Sequence, residues 1–86
     1  MNPRVKDVVP KDGYVLELLF ENGQRGLFDV KKFFNLPVFE SLKDLNYFRQ
    51  VRALFGSVVW PDGQDICPDT LYEDSLKVND TDPKKQ

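Results

Sequence analysis

Alternating apolar and polar residues in the first third of the chain predict β-strands. A short strand is predicted from Arg4 to Pro10, and a stronger one from Tyr14 to Phe20, in which every second residue is large and apolar. Val15, Leu19 and Leu27 fall on the opposite, outer side of the predicted sheet. That outer side is therefore either covered in part by helices or is a contact surface.

A β-hairpin is predicted at Glu21-Asn22-Gly23, and the register of the two strands decides the length of its loop. A two-residue loop would place apolar residues opposite charged ones. A three-residue loop, with Gly23 in the left-handed conformation, instead pairs apolar residues with each other. We therefore predict the three-residue loop, with the pairs Tyr14 and Val30, Leu16 and Phe28, and Leu18 and Gly26.

The same class of loop is predicted at Pro61-Asp62-Gly63. Its proline presets the first turn position, its aspartate suits the second, and its glycine takes the left-handed third position. The register then places Trp60 opposite Gln64 and Val58 opposite Ile66. Two hairpins of one loop class therefore flank the middle of the chain.

The segment between the hairpins is predicted to be helical but broken. Its apolar residues recur at every third position, a spacing that drifts around a continuous helix of 3.6 residues per turn. They are Phe39, Leu42, Leu45, Phe48 and Val51. Two short helices, broken near Lys43-Asp44, fit this spacing better than one long helix, and a strand is predicted to follow from Arg52 to Phe55.

A last helix is predicted from Pro68. Thr70 and Glu73 have the spacing of a capping box, and Asp69 is the competing N-cap residue. Residues 78–86 are almost entirely polar, so we expect a disordered tail after a single domain of residues 1–77. This order of elements predicts an α+β fold: a small, mostly antiparallel sheet of about five strands with short helices packed on one face.

The composition of the chain excludes several kinds of site and several classes of protein. The 86 residues include no histidine, which removes the usual general base, and one cysteine, Cys67, which cannot form an internal disulfide. No apolar stretch has the length of a signal peptide or a membrane span, so we expect a cytoplasmic protein without membrane contact. The net charge of -2 argues against a general nucleic-acid binder. We expect no cofactor.

Acidic residues are dense between Asp62 and Asp74, and Asp65, Asp69 and Glu73 could together hold a divalent metal in a hydrolase. Turn and cap roles explain most of these acids. Neither role explains Asp65, because it lies inside a predicted strand, where aspartate is disfavoured. A bond to Arg52 or to a backbone amide is the favoured explanation for Asp65, and a functional site is the alternative.

Four other residues are candidates for binding. Trp60 and Tyr72 could anchor a partner, although the pattern favours a Trp60 packed in the core with its indole N–H satisfied. Arg49 and Arg52 could contact phosphate or an acidic partner, although a solvated surface is the commoner role of such arginines. A DNA-binding regulator that uses these two arginines is therefore one alternative function.

Four blocks of the chain resemble, in the same order, a prokaryotic family named domain of unknown function 2442. The most specific block is Gly56, Val58, Trp60-Pro61, Gly63, Asp65, Pro68 and Leu71-Tyr72-Glu73. The earlier blocks are Leu18-x-Phe20-x-Asn22-Gly23, Phe28-Asp29, and Phe39-x-x-Leu42-Lys43-Asp44 with Phe48.

The resemblance implies a small α+β domain and no established catalytic residue. Some similar proteins carry an added helix-turn-helix domain, and others are encoded beside a second small protein in arrangements that look like toxin-antitoxin pairs. Since only a short polar tail follows the last block, we expect DNA contact to be indirect at most. We predict a non-enzymatic interaction or regulatory module that binds another small protein, and an antitoxin-like pairing and a homodimer are both left open.

Overall fold

The computed structural model describes residues 2–78. Its strands are β1 (Val5–Lys11), β2 (Val15–Phe20), β3 (Arg25–Asp29), β4 (Arg52–Leu54), β5 (Ser57–Val59), β6 (Asp65–Ile66) and β7 (Leu76–Val78). Its helices are two 3₁₀ helices, Val30–Phe33 and Pro37–Lys43, and the α-helices α1 (Leu45–Phe48) and α2 (Pro68–Asp74). The predicted α+β class is confirmed.

The strands form two antiparallel sheets, which corrects the expectation of one sheet of about five strands. The larger sheet has the order β1-β2-β3-β7, and the smaller has the order β4-β5-β6. The two meet where the Val5 amide donates to the Gly56 carbonyl at 2.9 Å. The strands of the smaller sheet have two or three residues each, and each pairs with its neighbour along the chain.

Strand β7 was not predicted from the sequence. Its three residues are too few to show an alternating pattern, and it exists because Leu76 and Val78 pair with Leu27 and Arg25 of β3. Val78 therefore belongs to a strand, although it was expected to begin the disordered tail. The rest of that predicted tail, residues 79–86, lies outside the described residues.

Both hairpin registers are confirmed. In the first, Leu16 lies opposite Phe28 and Leu18 opposite Gly26, and Gly23 has a φ of +89°. In the second, the Trp60 amide donates to the Gln64 carbonyl at 2.9 Å, and Gly63 has a φ of +99°. Glycine at the third loop position supplies the left-handed conformation that both three-residue loops require.

The predicted break in the helical middle is also confirmed. Asp44 separates the second 3₁₀ helix from α1 in an extended conformation, with φ of -80° and ψ of 116°. Its carboxylate accepts from the Asn46 amide at 3.0 Å and so caps α1. None of the described helices is long and apolar enough to cross a membrane.

The predicted capping box of the last helix is wrong. Helix α2 begins at Pro68, and its N-cap is Cys67, which forms no side-chain capping bond. Proline has no amide hydrogen and a φ suited to the first helical position, so it fixes the start two residues before Thr70. Thr70, Asp69 and Glu73 therefore all lie inside the helix.

One hydrophobic core joins both sheets and the helices. The inner face of the larger sheet contributes Leu16, Leu18, Phe20 and Phe28, and all four side chains are fully buried. The other core residues are Val5, Val30, Phe39, Leu42, Phe48, Val51, Val58, Trp60, Ile66 and Leu71. Because the helices cover this inner face, the outer faces of the two sheets are the sheet surfaces that another molecule can contact.

Candidate interaction surfaces

Trp60, a candidate anchor for a partner, lies in the core. Its side chain is 2% exposed, and its indole N–H donates to the Phe48 carbonyl at 2.9 Å. The single polar atom of the ring is therefore satisfied within the molecule. Trp60 ties the hairpin of the smaller sheet to α1, and a partner cannot reach it while the domain is folded.

Tyr47 holds the turn at Pro61-Asp62-Gly63 against α1. Its hydroxyl accepts from the Asp62 amide at 2.8 Å and donates to Oε1 of Gln64 at 2.6 Å. Gln64 is buried, so this bond satisfies an amide oxygen that water cannot reach. The roles of Tyr47 and Gln64 were not predicted from the sequence, although the pairing of polar Gln64 with core residue Trp60 was a usable signal.

Asp65 and Arg52 lie on the outer face of the smaller sheet. The register pairs Arg52 with Val59 and Val59 with Asp65, so the three side chains form one row across the sheet. Asp65 and Arg52 are exposed. Within residues 2–78 no hydrogen bond or ion pair joins Asp65 to Arg52 or to a backbone amide, so the favoured explanation of Asp65 is wrong. Because strand β5 lies between them, the backbones of Asp65 and Arg52 are roughly 10 Å apart at normal strand spacing.

The three acids of the hydrolase alternative do not come together. Asp69 and Glu73 lie one turn apart on α2, where both accept from the side-chain amide of Asn2, at 3.3 and 2.9 Å. Asp65 belongs to β6 instead. No cluster of three Asp, Glu, Cys or His side chains within residues 2–78 could hold a metal ion.

Cys67 is exposed at the start of α2, and Thr70 lies against its thiol. The Thr70 Oγ1 lies 3.2 Å from the Cys67 Sγ. Hydrogen bonds from the Thr70 hydroxyl and backbone amide stabilise the thiolate and lower the pKa of Cys67 below its usual value. Thr70, predicted as a cap residue, therefore contacts the thiol instead.

Tyr72 is half-buried and bonded within the chain. Its hydroxyl donates to Oε1 of Gln24 at 2.7 Å, and its ring meets Phe20 edge-on at 4.9 Å between centroids. The Lys77 ammonium lies 4.2 Å from the ring centroid. Arg49 is exposed at the end of α1, on a different element from Tyr72. Trp60 and Tyr72 are therefore engaged within the chain, whereas Asp65 and Arg52 share the outer face of the smaller sheet.

The outer face of the larger sheet carries more apolar surface than the sequence analysis predicted. Leu76 is 71% exposed and Val9 is 45% exposed. The half-buried members of this outer apolar face are Val15, Leu19, Leu27 and Val78. The sequence pattern indicated Val15, Leu19 and Leu27, whereas Val9 and Leu76 were missed because their faces depend on the pairing of β1 and β7.

Glu17 lies near the centre of this outer apolar face. The Lys11 ammonium is 3.3 Å from one of its carboxylate oxygens, and the Arg25 guanidinium is 3.8 Å from the other. Lys11 comes from β1 and Arg25 from β3, the strands on either side of Glu17. The one acid inside the apolar face is therefore already paired with cations from both neighbouring strands.

Phe55 forms the tip of the hairpin between β4 and β5. It is 84% exposed, the largest exposed fraction among the large apolar side chains of the described residues. Its φ is +53°, and that of Gly56 is +83°. The Arg4 guanidinium donates to the Phe55 carbonyl at 2.5 Å and fixes the turn. Phe55 was predicted to lie in a strand, and its place at the tip of a hairpin was not predicted from the sequence.

A family model described as "Protein of unknown function (DUF2442)" matches residues 5–76 of the chain. The match includes every strand and helix from β1 to α2 and ends at the first residue of β7. No curated protein matches the chain. No solved structure matches it either.

Proposed function

The chain belongs to the DUF2442 family, which is described only as of unknown function, and we propose that it is a non-enzymatic module that binds another small protein. In this role it acts as a regulatory or antitoxin-like partner. The binding surface is the outer apolar face of the larger sheet. The observation that carries the proposal is the exposure of this face, with Leu76 71% exposed and Val9 45% exposed.

The chemistry of the face favours a protein ligand. Antiparallel sheets often leave one face in water, but that face is then normally polar, whereas here aliphatic side chains come from all four strands. Exposed apolar area of this kind, rimmed by charged residues such as Asp7 and Asp29, is typical of interaction surfaces. The expected ligand is an apolar stripe on a helix or strand of the partner.

Glu17 would not oppose this docking. A buried carboxylate without a partner is costly, so an unpaired acid at the centre of the face would disfavour an apolar ligand. Lys11 and Arg25 already lie beside the Glu17 carboxylate, at 3.3 and 3.8 Å. A partner that covers the face would therefore enclose a paired group, and the two long cations would contribute their aliphatic stems to the contact.

The experiment is affinity capture of the tagged chain, expressed at native level in its own host, with mass spectrometry of the proteins that co-purify. Leu76→Glu is compared with Val38→Glu, a matched control because Val38 is 60% exposed on the second 3₁₀ helix. We expect one small protein in stoichiometric amount with the wild type and with Val38→Glu. Leu76→Glu should weaken binding of the purified pair by roughly thirtyfold, about 2 kcal/mol.

Two results would contradict the proposal. One is recovery of the wild-type chain alone, and the other is a partner that Leu76→Glu retains with unchanged affinity. Asp65→Asn, tested in parallel, reports on the smaller sheet. Loss of the partner in Asp65→Asn but not in Leu76→Glu would move the binding surface away from the larger sheet.

A further inference from the structure

We propose that a second copy of this chain binds to the outer face of the smaller sheet, which forms a two-fold symmetric dimer. The contact is the row of Arg52, Val59 and Asp65, together with Leu54 and Phe55 at the end of the hairpin. This surface differs from the outer apolar face of the larger sheet, so each of the two proposals can fail without the other.

The row is complementary to itself. It carries a cation at the β4 end, an aliphatic side chain in the middle and an acid at the β6 end. A two-fold dimer brings the same patch of both copies together, so its surface must be self-complementary. When the two-fold axis lies between the two facing sheets, runs parallel to the strands and passes beside Val59, Arg52 of each copy faces Asp65 of the other. Two ion pairs then flank a contact between the two valines.

The charges also select this orientation. A two-fold axis in the plane of the sheets but perpendicular to the strands would place Arg52 opposite Arg52 and Asp65 opposite Asp65, and repulsion disfavours both contacts. Neither side chain is already occupied, because no ion pair or hydrogen bond engages Arg52 or Asp65 within residues 2–78. Both charges are therefore available to a facing copy.

Phe55 gives the second, independent observation. Two-residue hairpin loops in which both residues have positive φ favour Asn-Gly, Asp-Gly or Gly-Gly, because bulky side chains are disfavoured in that conformation. This loop holds Phe55 at φ +53° with its ring 84% exposed. Strained positions that the monomer does not explain point to a function outside it.

The proposed axis gives the two Phe55 rings a contact. Because the axis runs parallel to the strands, both hairpin tips lie at the same end of the dimer, on either side of the axis. Leu54, 38% exposed beside Phe55, adds apolar surface at that end. Arg4 fixes the turn through the Phe55 carbonyl, so little freedom is lost when the rings meet.

The test is sedimentation equilibrium of the full chain over a wide range of concentrations, with charge-reversed variants. Arg52→Asp puts acids at both ends of the row, and Asp65→Arg puts cations at both ends. We expect the wild type to dimerise and each variant alone to associate at least about tenfold more weakly. The equimolar mixture should regain association, because acidic ends then face basic ends. The double variant should dimerise like the wild type.

Controls come from the ion pair of Glu40 and Lys43 on the second 3₁₀ helix, 3.2 Å apart. Glu40→Arg and Lys43→Asp change the net charge by the same amounts and should leave the dimer unchanged. A wild-type chain that stays monomeric at its solubility limit would overturn the proposal. So would a dimer that Arg52→Asp and Asp65→Arg leave unchanged, or a mixture of the two variants that fails to associate.

Phe55→Asn separates loss of the dimer from loss of the fold. It removes the exposed ring and creates the Asn-Gly pair that the turn favours, so the monomer should remain fully folded. We expect association to weaken at least about tenfold, since buried aromatic residues contribute strongly to interfaces. If Phe55→Asn associates as strongly as the wild type, the hairpin tips are not part of the interface.

Discussion

Two turns of this molecule hold an aromatic residue in the left-handed region of backbone conformation, and the folded chain explains only one of them. Gly13 and Tyr14 connect β1 to β2 with φ values of +79° and +62°. Phe55 and Gly56 connect β4 to β5 with φ values of +53° and +83°. Both turns therefore combine one glycine with one aromatic residue in a conformation that favours glycine.

The two aromatic rings have different surroundings. Tyr14 meets Phe34 and Phe48 edge-on, at 4.9 and 5.3 Å between centroids, and its hydroxyl donates to the Lys43 carbonyl. Phe55 is 84% exposed. We expect the contacts of Tyr14 to offset its backbone strain, whereas Phe55 has no comparable contacts within the described residues. The same kind of backbone strain therefore accompanies packing of the Tyr14 ring in the core and, by our proposal, contact of the Phe55 ring with a second copy of the chain.

The largest expected effect that tests this comparison is that of Tyr14→Gly. Glycine relieves the strain but removes the ring from Phe34 and Phe48, so we expect the free energy of unfolding to fall by about 2–3 kcal/mol. Urea denaturation followed by Trp60 fluorescence measures it. An unchanged or higher stability would mean that the Tyr14 contacts do not offset its strain.

Gly56→Ala should have the next largest effect. A Cβ at Gly56 would lie 2.3 Å from the Arg4 Nε, in addition to the unfavourable φ, so we expect a loss of about 2 kcal/mol. Gly13→Ala is the matched control, since its φ is +79° and no heavy atom lies within 4 Å of the added Cβ. We expect about 1 kcal/mol there. Equal losses in thermal denaturation would show that Arg4 does not constrain the second turn.

Tyr14→Phe isolates the hydroxyl from the ring. The Lys43 carbonyl would lose its donor while the contacts with Phe34 and Phe48 remain, so we expect a loss of about 1 kcal/mol in urea denaturation. A loss as large as that of Tyr14→Gly would assign the stabilisation to the hydrogen bond instead of the ring.

The smallest effect, with the opposite sign, is expected for Phe55→Asn. Asparagine tolerates the left-handed conformation and an exposed ring contributes little to the monomer, so we expect stability to rise by about 0.5–1 kcal/mol. The measurement belongs at a concentration where the wild type is monomeric. A loss of stability would show that the Phe55 ring supports the monomer and would remove the contrast with Tyr14.

Much of the local structure could be predicted from the sequence. The glycines at positions 23 and 63, together with the requirement that apolar residues share a face, were enough to choose both hairpin registers. The spacing of the apolar residues predicted the break at Asp44. The start of α2 at Pro68 was predicted correctly, but the capping box was wrong, because the proline at position 68 sets the boundary and leaves Thr70 inside the helix.

The candidate surfaces were predicted only in part. Asp65 was identified because aspartate is unusual in a strand, but its neighbours in the row depend on pairing with β5. Leu76 could not be identified because three residues show no period, and Phe55 because its exposure depends on the turn it occupies. Such features arise from contacts between distant segments, which single-sequence patterns do not contain.

The sequence alone determined the fold class, the hairpin registers and the inner-face residues of the first hairpin, because turn chemistry and the alternation of apolar residues act over a few neighbouring positions. The tertiary structure decided that the strands form two sheets, that β7 joins β3, and which apolar side chains remain exposed. These outcomes depend on which distant segments satisfy one another's backbone hydrogen bonds, and many pairings are compatible with the same local pattern.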